Sequence, residues 1–404
     1  MSFEKIKLKD VCISIYDGDH QAPPKVNKGV PFVTISNITN TNQFDFSNTM
    51  FVPQEYYDSL DSKRKAKEGD ILYSVVGSFG IPVYIKTDTQ FVFQRHIAIL
   101  RPNRDKIVPE FLYYTMLNRD FYMKADAVAI GAAQRTISLT ALRNMEIKIP
   151  YIETQNKIAK VLSAYDDMIA NNQKQIKLLE EAAQRLYKEW FVDLRFPGYE
   201  DVKIVNGVPE GWKKDRADSF FNITIGKTPP RAEKQWFVKG DTGVPWLSIS
   251  DMGNSGVYVF ATSEALTQEA VKKHNMKVVP SGTILVSFKL TVGRVSIATT
   301  DICTNEAIAH FYIENNLQQA YTYCYLNNFK YDSLGNTSSI SKAVNSKIIK
   351  AMPFVMPDEI TILAFSKLAA PILNGIKNRQ TSCIKLAESR DRLLPKLMSG
   401  EIEV

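Results

Sequence analysis

From Ile158 onward, apolar and small residues recur alternately at four and three positions. The series is Ile158, Leu162, Tyr165, Ile169, Ile176, Leu179, Ala183, Leu186 and Trp190, with Asn172 at the polar step between Ile169 and Ile176. A heptad period held this long predicts a helix with a coiled-coil seam. The same period returns at Phe365, Ala369, Ile372, Ile376, Cys383, Leu386, Leu393 and Leu397, with Arg379 and Arg390 at seam positions and Pro371 expected to bend or delay the helix. Ile158 maps to Phe365, Trp190 to Leu397 and Asn172 to Arg379 by one common displacement. The reading is two helices pairing antiparallel about a pseudo-twofold axis, through Ile158, Leu162, Ile169, Asn172, Ile176, Leu179, Leu186, Ile376, Arg379, Leu386 and Leu393. Asn172 and Arg379, both near mid-helix, would then approach each other and fix the register. The alternative is that each helix packs only on its own domain.

Between the helical stretches the pattern shortens. Runs such as "GVPFVTI", "ILYSVV" and "HIAIL" are bounded by Gly, Pro, Asn and Asp and predict short strands. These runs repeat. "GVPFVTISNI" (29–38) is answered by "GVPWLSISDM" (243–252), "GDILYSV" (69–75) by "GTILVSF" (282–288), and "QRHIAIL" (94–100) by "NEAIAHF" (305–311). "TISLTALRNMEIKIP" (136–150) finds its partner in "SISKAVNSKIIKAMPFVMP" (339–357). The order is the same in both halves, so the chain reads as a tandem duplication. Pro197-Gly198, closing "EWFVDLRFPGYE" (189–200), is the punctuation between the modules. The fold class is α+β. Its expected segments are a β-rich domain over 1–150, a helical spacer over 151–196, a second β-rich domain over 197–357 and a second helical spacer over 358–404.

Composition narrows the picture little. Of 404 residues, 45% are hydrophobic and 23% charged, which suits a soluble chain of more than one domain. No apolar run is expected to reach the length of a membrane span, and Met1-Ser2-Phe3-Glu4 opens no secretory signal, so a cytoplasmic location is expected. Cys12, Cys303, Cys324 and Cys383 lie too far apart for a zinc motif or a disulfide framework. The net charge of +7 permits an anionic partner without requiring one.

Catalytic constellations are missing from the sequence. It has no phosphate-binding glycine loop and no dinucleotide fingerprint. "APPK" (22–25) and "TPPR" (228–231) lack the flanking residues of an amino-methyltransferase site. His20, His96, His274 and His310 show no metal-ligand spacing and are expected to satisfy local hydrogen bonds. Glu146-x-Lys148, with Asp126 upstream, superficially resembles a nuclease site, but "EIKIP" alternates like a strand and lacks converging carboxylates. No catalytic residues and no metal site are assigned.

Three segments carry a family resemblance. They are "IPYIETQNKIAKVLSAYDDMIANNQKQIKLLEEAAQRLYKEWFVDLRFPGYE" (149–200), "GVPEGW" (207–212) and "LLPKLMSGEI" (393–402). Together with the duplicated layout, they resemble the DNA specificity subunit of type I restriction–modification systems over essentially the whole chain. "IPYIETQNKIA" and "VMPDEITILAF" depart mildly from the family's Pro-Leu-Pro type segment with Glu-Gln at the helix start. The resemblance implies a non-catalytic chain with two target recognition domains, each reading one half of a split, asymmetric site in double-stranded DNA. It implies helices that space those domains and dock two modification subunits, which carry S-adenosylmethionine and methylate adenine. Restriction subunits would join that core, with ATP and Mg2+ on the partners and no cofactor here. A helix from Ile158 to Trp190 would extend about 50 Å at ~1.5 Å per residue, suiting a spacer between sites about one DNA turn apart. Rival readings are a DNA-binding adaptor without a methyltransferase, a separated recognition arm of a fused methyltransferase–nuclease, and a helical scaffold. Neighbouring reading frames for an adenine methyltransferase and a helicase-like nuclease would discriminate against the adaptor; absent cofactor motifs argue against the fused arm, and two diverged β-rich domains against the scaffold.

Base reading needs Arg, Lys, Asn, Gln or Ser on loops that enter a groove. In the first half the candidates are His20, Lys25, Ser78, Arg95, Gln134 and Arg135. In the second they are Lys227, Arg231, Lys234, Lys289, Arg294, Ser338 and Lys342. Trp236 is either a stacking wedge or a core aromatic. Tyr187, Trp190, Phe191, Phe196 and Leu394 are candidates for the partner-subunit interface, or for packing within the helix pair.

Overall fold

Ile71–Ser74 and Ile97–Pro102 carry apolar residues at successive positions, so both faces of these strands need cover, and both are almost wholly buried. They form the centre of the first unit's larger sheet. The structure is a computed structural model that describes residues 3–21, 23–39, 41–132, 134–239, 242–334 and 344–404. It divides into two units, Met1–Ile169 with Lys385–Val404, and Ala170–Ile384. Neither unit coincides with a sequence-expected segment, because each long helix contributes to both.

The first unit contains β1 (Glu4–Lys7), β2 (Cys12–Asp17), β3 (Val30–Val33), β4 (Met50–Val52), β5 (Ile71–Ser74), β6 (Pro82–Tyr84), β7 (Val92–Phe93), β8 (Ile97–Pro102) and β9 (Glu146–Ile149). Strands in the order β2-β8-β5-β6 make one sheet, and β4-β3-β7 a second, with β3 parallel to β7. β1 pairs with β9 and ties the start of the domain to its end. Glu146 and Lys148 are therefore ladder residues opposite Lys7 and Lys5.

The second unit opens with a hairpin of β10 (Ile204–Val205) and β11 (Val208–Pro209), then β12 (Lys213–Arg216), β13 (Ile223–Ile225), β14 (Phe237–Val238), β15 (Val244–Leu247), β16 (Tyr258–Val259), β17 (Glu264–Leu266), β18 (Ile284–Ser287), β19 (Val295–Ala298), β20 (Cys303–Thr304), β21 (Ile308–Phe311) and β22 (Pro353–Met356). Its sheets run β13-β21-β18-β19-β16 and β14-β17-β15-β20, with β15 parallel to β20 and β12 pairing with β22. The four-strand order of the first unit reappears strand for strand, and so does the parallel pair in the smaller sheet. The repeated motifs occupy repeated strands. The duplication is thus one of topology as well as sequence.

The heptad stretches form the helices Ile152–Tyr187 and Glu359–Ser399. The second runs through Pro371 without interruption, with this proline on the exposed side and Phe365, Ala369, Leu373 and Ile376 anchoring the buried one. By length and composition it is apolar enough to cross a membrane, contrary to the sequence expectation. Seven of its apolar residues fill protein cores, those four in the second unit and Leu394, Leu397 and Met398 in the first, while Ile360, Leu363, Leu368 and Ile384 are exposed.

Within the second unit the helices run antiparallel. Asn172 Nδ2 donates to Ser382 Oγ at 3.3 Å, Arg379 Nε donates to Gln175 Oε1 at 2.5 Å, and Trp190 meets Phe365 with ring centroids 5.7 Å apart. Asn172 and Arg379 do not bond each other as expected. Each instead reaches a polar residue one turn away on the facing helix, so the two seam irregularities are satisfied separately. Packing on each unit's own sheets also occurs, since Ile158 and Leu162 join the first core and Ala183 and Ile376 the second.

The first helix ends in a wide π turn at Lys188–Val192, after which Leu194 takes a left-handed backbone with φ 57°. The stop precedes Pro197 and is made by the chain reversal, not by the proline ring.

Candidate nucleic-acid interface

Register decides which loops meet. In the first unit Asp17 lies opposite Ala98 on β8, and Ser74 opposite Ile97. The segments after β2, after β5 and before β8 therefore leave one end of the sheet together. Backbone bonds join them: Arg95 N donates to Asp19 O at 2.9 Å, and Val75 N to His96 O at 2.9 Å. A fourth segment arrives where Gly77 N donates to Arg135 O at 2.9 Å. All four sequence-chosen loops of the first half converge.

Their side chains differ in freedom. His20 Nε2 lies 2.5 Å from Asp17 Oδ2. Arg135 is ion-paired to Asp126 at 2.9 Å and lies over the Phe79 ring at 5.8 Å. Buried Asp19 takes a short hydrogen bond from the Tyr56 hydroxyl, and burial first, then this carboxylate, push the tyrosine up to about 12. Burial, with Arg95 beside it, lowers His96. Lys25, Ser78, Arg95 and Gln134 are exposed.

The second unit repeats the arrangement. Ile225 lies opposite Ala309 and Ser287 opposite Ile308. Lys227 N donates to Thr304 O at 2.9 Å, and Phe288 N to Ala307 O at 2.9 Å, the counterpart of the Val75–His96 bond. Lys227 Nζ reaches His274 O at 2.7 Å. Arg231 grips Glu264 at 2.7 and 2.9 Å while its guanidinium lies over Phe237 and Trp246 at 4.2 and 4.5 Å. A short bond from the Thr228 hydroxyl, aided by Lys289 and Arg231, holds Glu306 below the usual carboxylate range. Arg294 is half-buried, donating to Ile249 O at 2.8 Å. Lys234 and Lys289 are exposed. Ser338 and Lys342 lie outside the described residues.

Other candidates have a different place. Trp236 is buried and donates to Glu233 at 2.7 Å, so it is a core aromatic. His310 is fully buried between the Thr224 and Thr304 hydroxyls, and burial pushes it down to about 4. Tyr187, Trp190 and Phe196 are buried in the second core with Phe191 packed against them, and Leu394 in the first. Four of the five are thus buried within the chain and Phe191 is half-buried. The acids that fix these loops, Glu264 on Arg231 and Glu306 on the Thr228 hydroxyl, escaped sequence reasoning because they stand 33 and 78 positions from their partners.

Each unit thus offers loops of mixed cations, amides and hydroxyls gathered at one sheet end, and among the described residues no cluster of three or more His, Cys, Asp or Glu could hold a metal ion. Residues 2–181 and 209–362 match the model of the type I restriction modification DNA specificity domain. The chain belongs to this family. It is 25% identical over 453 residues to the type I restriction enzyme HindI specificity subunit of Haemophilus influenzae, covering 93% of this chain and 97% of the relative. Identity is 26% over 418 residues to the putative type I restriction enzyme MjaX specificity subunit of Methanocaldococcus jannaschii, covering 100% and 94%. The crystal structure of a type I restriction-modification S subunit from M. genitalium aligns over 98% of this chain and 96% of its own, at 16% identity and a TM-score of 0.56. That likeness supports the fold. Membership makes this a non-catalytic chain that recognises DNA sequence.

Proposed function

We propose that each unit reads one half of a split, asymmetric target in double-stranded DNA. The observation that carries this is the same strand order in both units, with the same loops gathered at the same sheet end. Equivalent scaffolds with different loop residues suit two half-sites of different sequence. Phosphates would be met by exposed cations such as Lys25, Arg95, Lys234 and Lys289, and bases by the loop amides, hydroxyls and guanidiniums.

The paired helices set the gap between the half-sites and dock two modification subunits, which in turn recruit restriction subunits in the cytoplasm. Adenine methylation with S-adenosylmethionine, and ATP- and Mg2+-dependent steps, belong to those partners. The relatives' names, specificity subunits of type I restriction enzymes, support this division.

A genome-wide adenine-methylation map of the host, with and without this gene, tests the reading. Loss of one motif made of two short blocks around a fixed gap is the expected result. An unchanged map with the methyltransferase expressed would leave a DNA-binding adaptor as the better description.

A further inference from the structure

The hairpin loop after β5 and the loop after β18 are the same device. Ser74 and Ser287 are wholly buried at their bases. Ser74 Oγ accepts from Ile81 N at 2.9 Å and Ser74 O from Gly80 N at 2.9 Å. Ser287 Oγ accepts from Arg294 N at 3.0 Å and Ser287 O from Gly293 N at 2.8 Å. Gly80 and Gly293 share φ 91°, and a Cβ on either would strike a tyrosine ring, Tyr122 or Tyr331. Residue by residue, Gly77 therefore corresponds to Leu290.

Both hold a left-handed backbone, with φ 70° at Gly77 and 63° at Leu290. At Gly77 the nearest atom to an added Cβ would be Gln134 Nε2, 3.7 Å away, so conformation alone calls for glycine. The second unit puts a leucine there, in a region that L side chains with a branched, bulky body disfavour. Among the described residues no apolar packing offsets the strain, and Leu290 is 88% exposed. Ser287 Oγ also donates to Thr291 O at 2.5 Å, which stiffens the tip. Exposed Lys289 precedes the leucine, and the loop leaves the sheet end that carries Lys227 and Arg231.

A tip that projects an unsupported leucine beside a cation, with the less exposed Val292 behind it, fits a base stack flanked by phosphate. We propose that Leu290 is a wedge that inserts between base pairs of the half-site read by the second unit, with Lys289 on the adjoining phosphate. Leucine is among the side chains that unstack a step and kink the duplex in this way. Specificity then comes partly from the ease of unstacking, which favours a pyrimidine–purine step at the insertion point. The first unit, with Gly77, makes no such insertion. This inference rests on the split-target reading above.

The test uses the full chain with its modification subunits and a duplex carrying the motif from the methylation map, with 2-aminopurine placed in turn at each step of both half-sites. Wild type is expected to brighten the probe at one step of one half-site. Leu290→Gly, which gives the position the residue of its counterpart, should abolish that signal and weaken target binding on the order of tenfold or more, with a thermal midpoint equal or higher. Leu290→Met should restore much of the signal. A flat wild-type scan, or an unchanged scan and affinity in Leu290→Gly, overturns the wedge while target binding by wild type keeps the split-target reading intact. Failure of wild type to bind the mapped duplex overturns both.

Discussion

Asp166 and Arg390 meet at 2.5 Å, and the Tyr114 hydroxyl donates to the other carboxylate oxygen at 2.6 Å. Arg390 occupies a seam position that the heptad reserves for an apolar residue. Both side chains of the pair are about one-fifth exposed, so each charge depends on its partner. Asp166→Ala leaves the half-buried guanidinium with Asp391 as its remaining acid among the described residues, and should cost about 2–4 kcal/mol in urea unfolding. Replacing Asp166 and Arg390 together by leucine should recover most of that loss. A single substitution without effect would show that water already satisfies both groups.

The antiparallel register makes a covalent prediction. A Cβ on Gly375 would lie 3.4 Å from Leu179 Cδ1. Combining Leu179→Cys with Gly375→Cys should give an intrachain disulfide under mild oxidation, identified by peptide mapping and reversed by thiol. The same pairing fails in a variant shifted by one position, Leu178→Cys with Gly375→Cys, because Leu178 is on the exposed side of its helix. Equal crosslinking by both pairs would point to a loose register.

Much of this fold was legible because its signals are periodic or repeated. The heptads stood out at Ile158–Trp190, where every seam residue is buried or half-buried, and the paired motifs revealed the duplication without any structure. What stayed hidden were long-range partners. Arg231 reads as a free cation in sequence, yet Glu264 and two aromatic rings hold it. Aromatic residues at the helix end looked like interface anchors because composition cannot say which side covers them, and Phe365 and Trp212 do. Leu290 in a left-handed turn is invisible until the backbone is known.

His310 gives a pH dependence of definite sign. Its folded value is about 4 against an ordinary 6.5. Below pH 6.5 the unfolded chain binds a proton that the folded chain refuses, so stability falls as pH drops from 6.5 to 4 and is untouched by this group above that window. The complete window is worth about 3 kcal/mol. Denaturant midpoints between pH 7 and 5 should slope downward in wild type, and less steeply in His310→Gln even though that variant starts lower. Parallel slopes would assign the trend to carboxylates.

Glu264 holds Arg231 in an ion pair that DNA would have to displace. The ion pair is about half exposed on the arginine side, so DNA can compete for the guanidinium. Glu264→Gln should tighten binding to unrelated DNA and steepen its salt dependence. Arg231→Ala should cost about 1–3 kcal/mol on the true target if the arginine holds a guanine bidentately, and far less on other sequences. A uniform loss on all DNA would make Arg231 a phosphate contact.

The spacer proposal can be tested by length. Seven residues form two helical turns, about 10 Å at ~1.5 Å per residue, and preserve the heptad phase. Inserted once into each long helix, in the solvated stretch between seam positions, they should lengthen the unspecified gap of the methylated motif by about three base pairs at ~3.4 Å each. Both specific blocks should stay unchanged, because no loop that reads them has been altered. Insertion into one helix alone puts the facing seams out of register and should abolish methylation rather than move it. A gap that keeps its length in the double insertion would mean that the half-site distance is set by the partner subunits, and the helices would then be docking rails without a measuring role.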